Sequence, residues 1–599
     1  MSIVPLRKIT LFGHVTDKSA LLEELQRLGC LHLVPLREAT IEEERSGPPG
    51  GEKARKALRY LVEAPNPRRQ IKQDPNFDVD VLVAQVEANQ QELRDLTDRR
   101  DFLEKRIQDL SPWGEFVFPH EDDLAGFKLW FYKVPHKHGA ALDALKLPWQ
   151  TVLRTNKDSY AVVLSQDEPE PDLLPVPRTH AGAKPLSQLH TELEDTEIAI
   201  EAAEARRGEL THHAFLLSQN LARAEDRASL RDAARHTYEV EEIFALQGWV
   251  PTDRLEALEA LAEERKLGLL EEEPGPDELP PTLLKNRPNL AAGQDLAMFY
   301  QTPSPRDWDP SVVLFFSFSL FFAMILGDAG YACVLLLGVL AFWRKLGASD
   351  GGRRFRAIGL SLAGTSVVWG VLVGSYFGVS PAPDSFLGAL KIFDIKDSET
   401  MMKISIAIGV CHVALANGML AWREWGRPIA YAKLGWIAVV FGGLFFWLGT
   451  GGSGFLETLG AVGMIGGLVA VFLFSGTTRG HDIMSILKRV LEGGKALTGV
   501  MKAFGDILSY LRLFALGLAS ASLALTFNDM AQAVQQAVPG IGLLFAILIL
   551  ILGHTLNLGL AVVSGVIHGL RLNFIEFYNW GLSEEGYPFK AFAKKEIAS

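Results

Sequence analysis

The sequence predicts N-terminal α/β lobes joined by a long antiparallel coiled-coil hairpin, followed by an all-α membrane domain of eight transmembrane helices. Three observations predict it. Charge is unevenly spread over the 599 residues: residues 1–300 hold 37 Lys/Arg and 53 Asp/Glu, whereas residues 301–599 hold 22 and 18. Two segments before residue 237 carry apolar side chains in alternating steps of three and four. After Ser311, apolar runs of spanning length recur. Such asymmetry means that the halves face different solvents.

Residues 1–300 read as a cytoplasmic arm. Residues 3–36 alternate strand, helix and strand, the helix marked by Leu21, Leu22, Leu25 and Leu28. The run EEIFALQGWVP followed by DRLEALEALAEER repeats the theme, so a proximal lobe combines 1–50 with 238–280. A distal lobe at 115–180 contains FKLWFYKVP and SYAVVLS. Between them, Leu82, Val86, Asn89, Leu93, Leu96, Arg100, Leu103, Ile107 and Leu110 form one heptad seam. A second runs from Leu186 through Leu193, Ile200 and Leu210 to Leu221 and Ala224. Strict three–four alternation specifies a coiled coil, pairing 78–111 with 186–236 as a hairpin. EEEPGPDELPPTLL opens a linker over 271–300.

Residues 301–599 form the membrane domain. At about 20 apolar residues per crossing, the spans are 311–326, 329–343, 357–376, 402–422, 434–450, 456–475, 503–527 and 541–578. The first two form a tight hairpin, and the last is long enough to require tilt. Segments 344–356, 423–433 and 476–502 carry five, three and five Lys/Arg, while the alternate segments carry two at most. The positive-inside rule makes the first set cytoplasmic, with both termini on that side.

Much is excluded. Cys30, Cys333 and Cys411 offer neither a disulfide framework nor a metal spacing. There is no Walker-type loop, no dinucleotide fingerprint, no HExxH and no CxxC, so no cofactor or metal is expected, and MSIVPLRKIT shows no secretory h-region, so the first domain is expected to be cytoplasmic. An acidic arm with a formal net charge of −12 for the chain argues against nucleic acid.

Chemistry is expected inside the spans. A central Arg costs about 2.5–3.5 kcal/mol on insertion scales, so it faces a partner or water. Arg512 lies in FGDILSYLRLFALGLAS and Arg571 in VVSGVIHGLRLNFIEFYNW, at similar depth if the helices run antiparallel. Steps of ~100° place Ala515, Ala519, Ser522 and Thr526 on the face of Arg512. His554, Asn557, Ala561, Ser564, His568 and Arg571 line a mostly polar stripe.

SYLRLFALGLA (509–519) and HGLRLNFIEF (568–577) resemble the two arginine motifs of the a/I subunit of V-type ATPases. QRLGCLHLVPL (26–36), LQGWVP (246–251), PTLLKNRP (281–288) and FFAMILGDAGY (321–331) extend the resemblance over nearly the whole chain. Modest length and short outer loops resemble the prokaryotic form, subunit I of the V/A-type ATPase or ATP synthase. Ser520 and Ala561 depart from eukaryotic members, some of which carry His and Glu there.

The resemblance implies the stator of a rotary motor in a prokaryotic plasma membrane. Its partners would be a proteolipid rotor ring, peripheral-stalk heterodimers, the soluble ATPase head reached through those stalks, and the lipid bilayer. Arg512 and Arg571 would face the rotor carboxylate as the ion gate. Half-channel candidates on the cytoplasmic side are Asp506, Glu576, His568, Glu424, His481 and Asp482. On the opposite side they are Glu457, Asp328 and His412. The subunit would take part in coupled ATP synthesis or hydrolysis without an ATP site of its own. The competing reading is a secondary transporter with a cytoplasmic regulatory arm, but no internal repeat supports it.

Overall fold

Strand β1 (Leu6–His14) buries Leu6, Ile9 and Leu11, a pattern that demands neighbours on both edges. They come from far along the chain: β8 (Ile243–Pro251) on one edge and β9 (Gly268–Glu272) on the other, both antiparallel. Strand β2 (His32–Val34) and β7 (Tyr238–Val240) both pair with β8, completing a five-stranded sheet. The computed structural model describes residues 2–36, 51–117, 124, 126–170, 173–179, 184–476, 482–537 and 540–595. They fall into two compact units. One comprises residues 1–18, 28–36 and 237–592; the other comprises 19–27, 37–236 and 593–599. The division does not follow the expected cut at residue 300, because the first unit holds both the β1 sheet and the apolar helices.

In the second unit, α1 (Gly51–Val62), which lies between the expected lobe and hairpin, packs Ala54, Ala57 and Leu61 against Leu82, Val83, Val86, Leu217 and Leu221. Helix α2 (Val79–Leu110) runs antiparallel to α3 (Leu186–Leu210). Ion pairs Arg99–Glu192 at 2.8 Å and Arg206–Glu92 at 3.2 Å set that direction. Buried Asn89 donates to the Ala203 carbonyl at 2.9 Å and accepts from the Tyr60 hydroxyl at 3.0 Å, so this polar seam position is satisfied and register-specific. The expected continuous helix over 186–236 is interrupted at Thr211–His213, after which α4 (Ala214–Arg235) resumes. The cause is local. The Thr211 hydroxyl accepts from the Arg68 backbone N–H at 2.8 Å, and His212 donates to the Arg69 carbonyl. At the other end of the pair, β3 (Lys128–Pro135), β4 (Trp149–Arg154), β5 (Asp158–Ser165) and β6 (Arg178–Thr179) form an antiparallel sheet ordered β4-β5-β3-β6. Trp113 stands edge-on to Phe131 and Tyr160, both at 5.1 Å, closing that sheet onto Leu103, Leu110 and Leu189.

In the first unit, β9 occupies 268–272, so the expected linker begins later than 271. Part of it is held in place: Val4 donates to the Leu283 carbonyl, and Lys285 to that of Ser2. Among the described residues, six helical stretches are long and apolar enough to cross a membrane: Asp350–Val373, Ser398–Arg423, Pro428–Gly449, Gly454–Phe474, Ile483–Ala537 and Gly542–Gly581. The first two expected spans are shorter, Ser311–Leu326 and Ala329–Ala341. At 1.5 Å per residue they reach about 24 and 20 Å, less than the ~30 Å hydrocarbon layer. We label the apolar helices α5 (Ser311–Leu326), α6 (Ala329–Ala341), α7 (Asp350–Val373), α8 (Ser398–Arg423), α9 (Pro428–Gly449), α10 (Gly454–Phe474), α11 (Ile483–Leu497), α12 (Gly499–Leu508), α13 (Leu511–Ala537) and α14 (Gly542–Arg571).

Glycine governs how closely α9 and α10 approach. A Cβ on Gly460 would lie 2.2 Å from the Phe446 nitrogen, and one on Gly442 would lie 2.6 Å from the Met464 nitrogen. Backbone cannot yield as a side-chain tip can. Gly460→Leu should therefore part the pair and cost about 1–3 kcal/mol, read as a lowered Tm in detergent; an unchanged Tm would contradict the close approach.

Beyond the last helix the chain returns to the β1 sheet. Phe592 donates its backbone N–H to the Leu31 carbonyl at 2.7 Å, and Lys590 to His32 Nδ1 at 2.9 Å. Tyr587 and Phe589 pack on the His32 ring. Burial holds the His32 imidazole below its usual pKa. A depressed histidine pKa contributes stability above the ordinary imidazole value, and that contribution is lost as pH falls through it. Amide exchange at Lys590 and Phe592 should accelerate as pH drops below that value, beyond the intrinsic pH trend, and His32→Phe should abolish the extra acceleration.

Candidate functional site

Helix α12 stops at Leu508 and α13 starts at Leu511, so Arg512 emerges in the first turn after a short break. Helix α14 ends at Arg571, and the chain widens into a π-helical turn, Leu572–Phe577. Such a turn re-phases every later side chain against a continuous α-helix, and these turns recur at functional sites. It turns Glu576 inward, where Arg512 Nη2 donates to Glu576 Oε1 at 3.0 Å, with side chains 26% and 3% exposed. Arg512 Nη1, Glu576 Oε2 and His568 Nδ1 are buried with no hydrogen-bond partner among the described residues. Arg571 is exposed and has no ion-pair partner among the described residues. His568 lies within electrostatic range of both arginines.

A polar and aromatic ring surrounds the pair. Fully buried Tyr510 meets His412 Nδ1 at 2.8 Å. His412 stacks on Phe577 at 4.2 Å and stands edge-on to Phe321. It therefore sits beside the Arg512–Glu576 pair, although the sequence assigns it to the opposite side. Trp580 Nε1 donates to Asp506 Oδ2 at 2.7 Å, and Ser317 donates to Asn573 Oδ1 at 2.5 Å. Tyr510, Trp580, Asn573 and Ser317 were not singled out from sequence. Their signal is weak, since aromatic and small polar residues are ordinary in apolar helices.

Further along, α13 and α14 stay antiparallel: Asn557 Nδ2 donates to the Ser520 carbonyl at 2.9 Å, and His554 Nε2 meets Asn528 Oδ1 at 3.1 Å. Tyr331 joins them, its hydroxyl 2.7 Å from His554 Nδ1 and 3.0 Å from Asn557 Nδ2. The expected stripe is thus divided. His554 and Asn557 are tied into the helix bundle, Ala561 is buried, and Arg571 points outward. Ala515, Ala519, Ser522 and Thr526 are all exposed, so the face that carries Arg512 is open in this chain.

The remaining candidates are dispersed. Asp328 caps α6 and accepts from the Tyr331 N–H (3.0 Å), the Ser375 hydroxyl (2.7 Å) and the backbone N–H groups of Phe377 and Gly378 (both 2.9 Å). Glu424 pairs with Arg427 at 2.6 Å at the end of α8. Glu457 is exposed in the first turn of α10, and Asp482 is exposed before α11. His481 lies outside the described residues. Among the described residues no group of His, Cys, Asp and Glu could hold a metal ion.

No family model matches the chain. Among curated proteins, it is 27% identical over 592 residues to the V-type ATP synthase subunit I of Chlamydia pneumoniae, covering 87% of each chain. It is 28% identical over 618 residues to that of Chlamydia trachomatis, covering 89% of this chain and 91% of the relative. It is 29% identical over 402 residues to the A-type ATP synthase subunit I of Methanocaldococcus jannaschii, covering 60% and 57%. A solved cytoplasmic N-terminal domain of subunit I, homolog of subunit a, of V-ATPase aligns to 44% of the chain at 18% identity and a TM-score of 0.20.

Four donors converge on Asp328 from two segments. Asp328→Ala should leave them unpaired in an apolar setting and cost about 2–4 kcal/mol, seen as a lowered Tm in detergent and faster amide exchange at Phe377 and Gly378.

Proposed function

The chain is a homologue of V-type and A-type ATP synthase subunit I over most of its length, and from that premise we propose that this multi-pass membrane protein is the ion-conducting stator of a rotary ATPase or ATP synthase. The observation that carries this reading is Arg512 itself. It is a permanent cation at the head of an apolar helix, half-satisfied by Glu576, on a face whose small side chains leave room for another helix.

The mechanism is electrostatic. A rotor carboxylate is neutral while it faces lipid, because a bare charge there costs several kcal/mol or more. Opposite Arg512 its pKa falls and the proton leaves. The guanidinium cannot release a proton at accessible pH, so it relays none and separates the two access paths. Arg571, outward-facing and without an ion pair among the described residues, offers the departing carboxylate a second cation. On the Lys/Arg-rich side, Asp506, Glu576 and His568 cluster near Arg512 as the path from the cytoplasm, with Glu424 and Asp482 at its approach. Towards the other side, Tyr331, His554, Asn528 and Asn557 offer a hydrogen-bonded route, with Asp328 bracing the loop beside it and Glu457 on a separate helix. Counting the two short helices with the six long ones, eight segments cross and both termini are cytoplasmic. The antiparallel α2–α3 pair then serves as the arm that binds peripheral stalks and steadies the soluble head. ATP chemistry belongs to other subunits.

Reconstituted complexes test the reading. Arg512→Ala and Arg512→Lys should reduce ATP-driven proton uptake into vesicles to background while the subunit still inserts. Lysine fails because its compact charge lacks the planar fork and its pKa shifts on burial. Glu576→Gln keeps an acceptor for Nη2 but loses the charge, and should slow uptake without abolishing it. Normal uptake by either Arg512 variant would overturn the assignment.

A further inference from the structure

Helix α11 (Ile483–Leu497) presents an apolar face that the fold does not use. At ~100° per residue, Ile483, Ile486, Leu487, Val490 and Leu491 share one face, with Met484 at its edge. Lys488, Arg489, Glu492 and Lys495 lie on the other. These six apolar side chains are 47–87% exposed. Gly493 is the buried residue, so close to α10 that a Cβ would sit 2.4 Å from the Phe472 carbonyl oxygen. Phe472 is two residues from the end of that span, so α11 is pinned where a membrane helix ends. Its other end continues through α12 into α13. An apolar surface held at that depth cannot turn to water without a large cost.

The flanking charges say what covers it. Lys488 and Lys495 border the apolar arc on one side, and neither has a carboxylate partner among the described residues. Long aliphatic stems let both ammonium groups reach outward from a buried edge. This is the arrangement of a helix lying in the plane of a membrane surface. We propose that α11 is an interfacial helix, its apolar face seated at the acyl–headgroup boundary and Lys488 and Lys495 engaging anionic phospholipid headgroups. A protein partner would need carboxylates placed opposite both lysines, whereas an anionic bilayer supplies negative charge at any register. The inference is independent of the ion-transport reading, since it concerns where α11 lies and which lipids hold it.

The test uses the full chain with Cys30, Cys333 and Cys411 replaced by Ser, and a single nitroxide-labelled Cys at Leu487, Leu491 or, as a polar-face control, Ser485. Vesicles of phosphatidylcholine are compared with vesicles that also contain phosphatidylglycerol. Labels at 487 and 491 should collide freely with oxygen and be shielded from a water-soluble nickel chelate, while the label at 485 should show the reverse. Shielding should deepen with phosphatidylglycerol. Lys488→Glu combined with Lys495→Glu should remove that lipid dependence, lowering the seated fraction by about an order of magnitude. Free access of the chelate to 487 and 491 would overturn the proposal, as would exclusion of both reagents, which marks a protein covering. Equal shielding in both vesicle types would overturn the assignment to anionic headgroups. Retained oxygen accessibility of a further single label at Phe316, exposed on α5, in the double-Glu variant would separate a lost seat from a lost fold.

Discussion

A guanidinium among apolar helices must be paired or wetted, and the Arg512–Glu576 contact is how this chain meets that constraint. An isolated charge at this depth is costly, and an uncompensated buried partner is worse. Much of the local architecture follows from it. The break between Leu508 and Leu511 frees the first turn of α13, and the π turn after Arg571 brings Glu576 inward. Tyr510, Phe577 and His412 close around both. The pair satisfies one nitrogen and one oxygen, and Nη1 and Oε2 are buried without a hydrogen-bond partner among the described residues.

The rest of the first unit keeps that constraint in place by close packing. Gly442 and Gly460 let α9 and α10 touch backbone to backbone. Asp328 ties the start of α6 to the loop at 375–378, whose Phe377 carbonyl accepts from Asn528 of α13, and Asn528 in turn meets His554 of α14. The tail beyond the last helix docks on the β1 sheet through Leu31 and His32. One unit therefore holds a soluble sheet and apolar helices together, through contacts between residues more than five hundred positions apart.

Some of this was legible in the sequence because it is local. Apolar run length marked the membrane helices, and β-rich runs marked both sheets. The cost of charge in hydrocarbon singled out Arg512 and Arg571 before any coordinates. The helical character of α2 and α3 is legible because three–four spacing of apolar residues puts them on one helix face. Other features were hidden. The interruption at Thr211–His213 depends on Arg68 and Arg69, brought there from over 140 residues away. Helix α1, rich in Lys and Arg, carries only Ala54, Ala57 and Leu61 on its buried face. The polar stripe on α14 keeps one helical phase from His554 to Arg571 but not one environment, because Tyr331 and α13 bind only its His554 and Asn557 part.

Sequence by itself determined which segments are apolar enough to meet lipid, which are polar enough to meet water, and that two arginines lie within apolar runs. Those properties belong to side-chain solvation and do not depend on neighbours. Tertiary structure decided that Arg512 is paired with Glu576 while Arg571 is left open, that His412 lies beside that pair, and that Tyr331 links His554 to Asn557. Each of these needs two distant segments to arrive at one place in one rotational phase, and no local periodicity encodes that phase once a helix breaks at 509 or widens at 572.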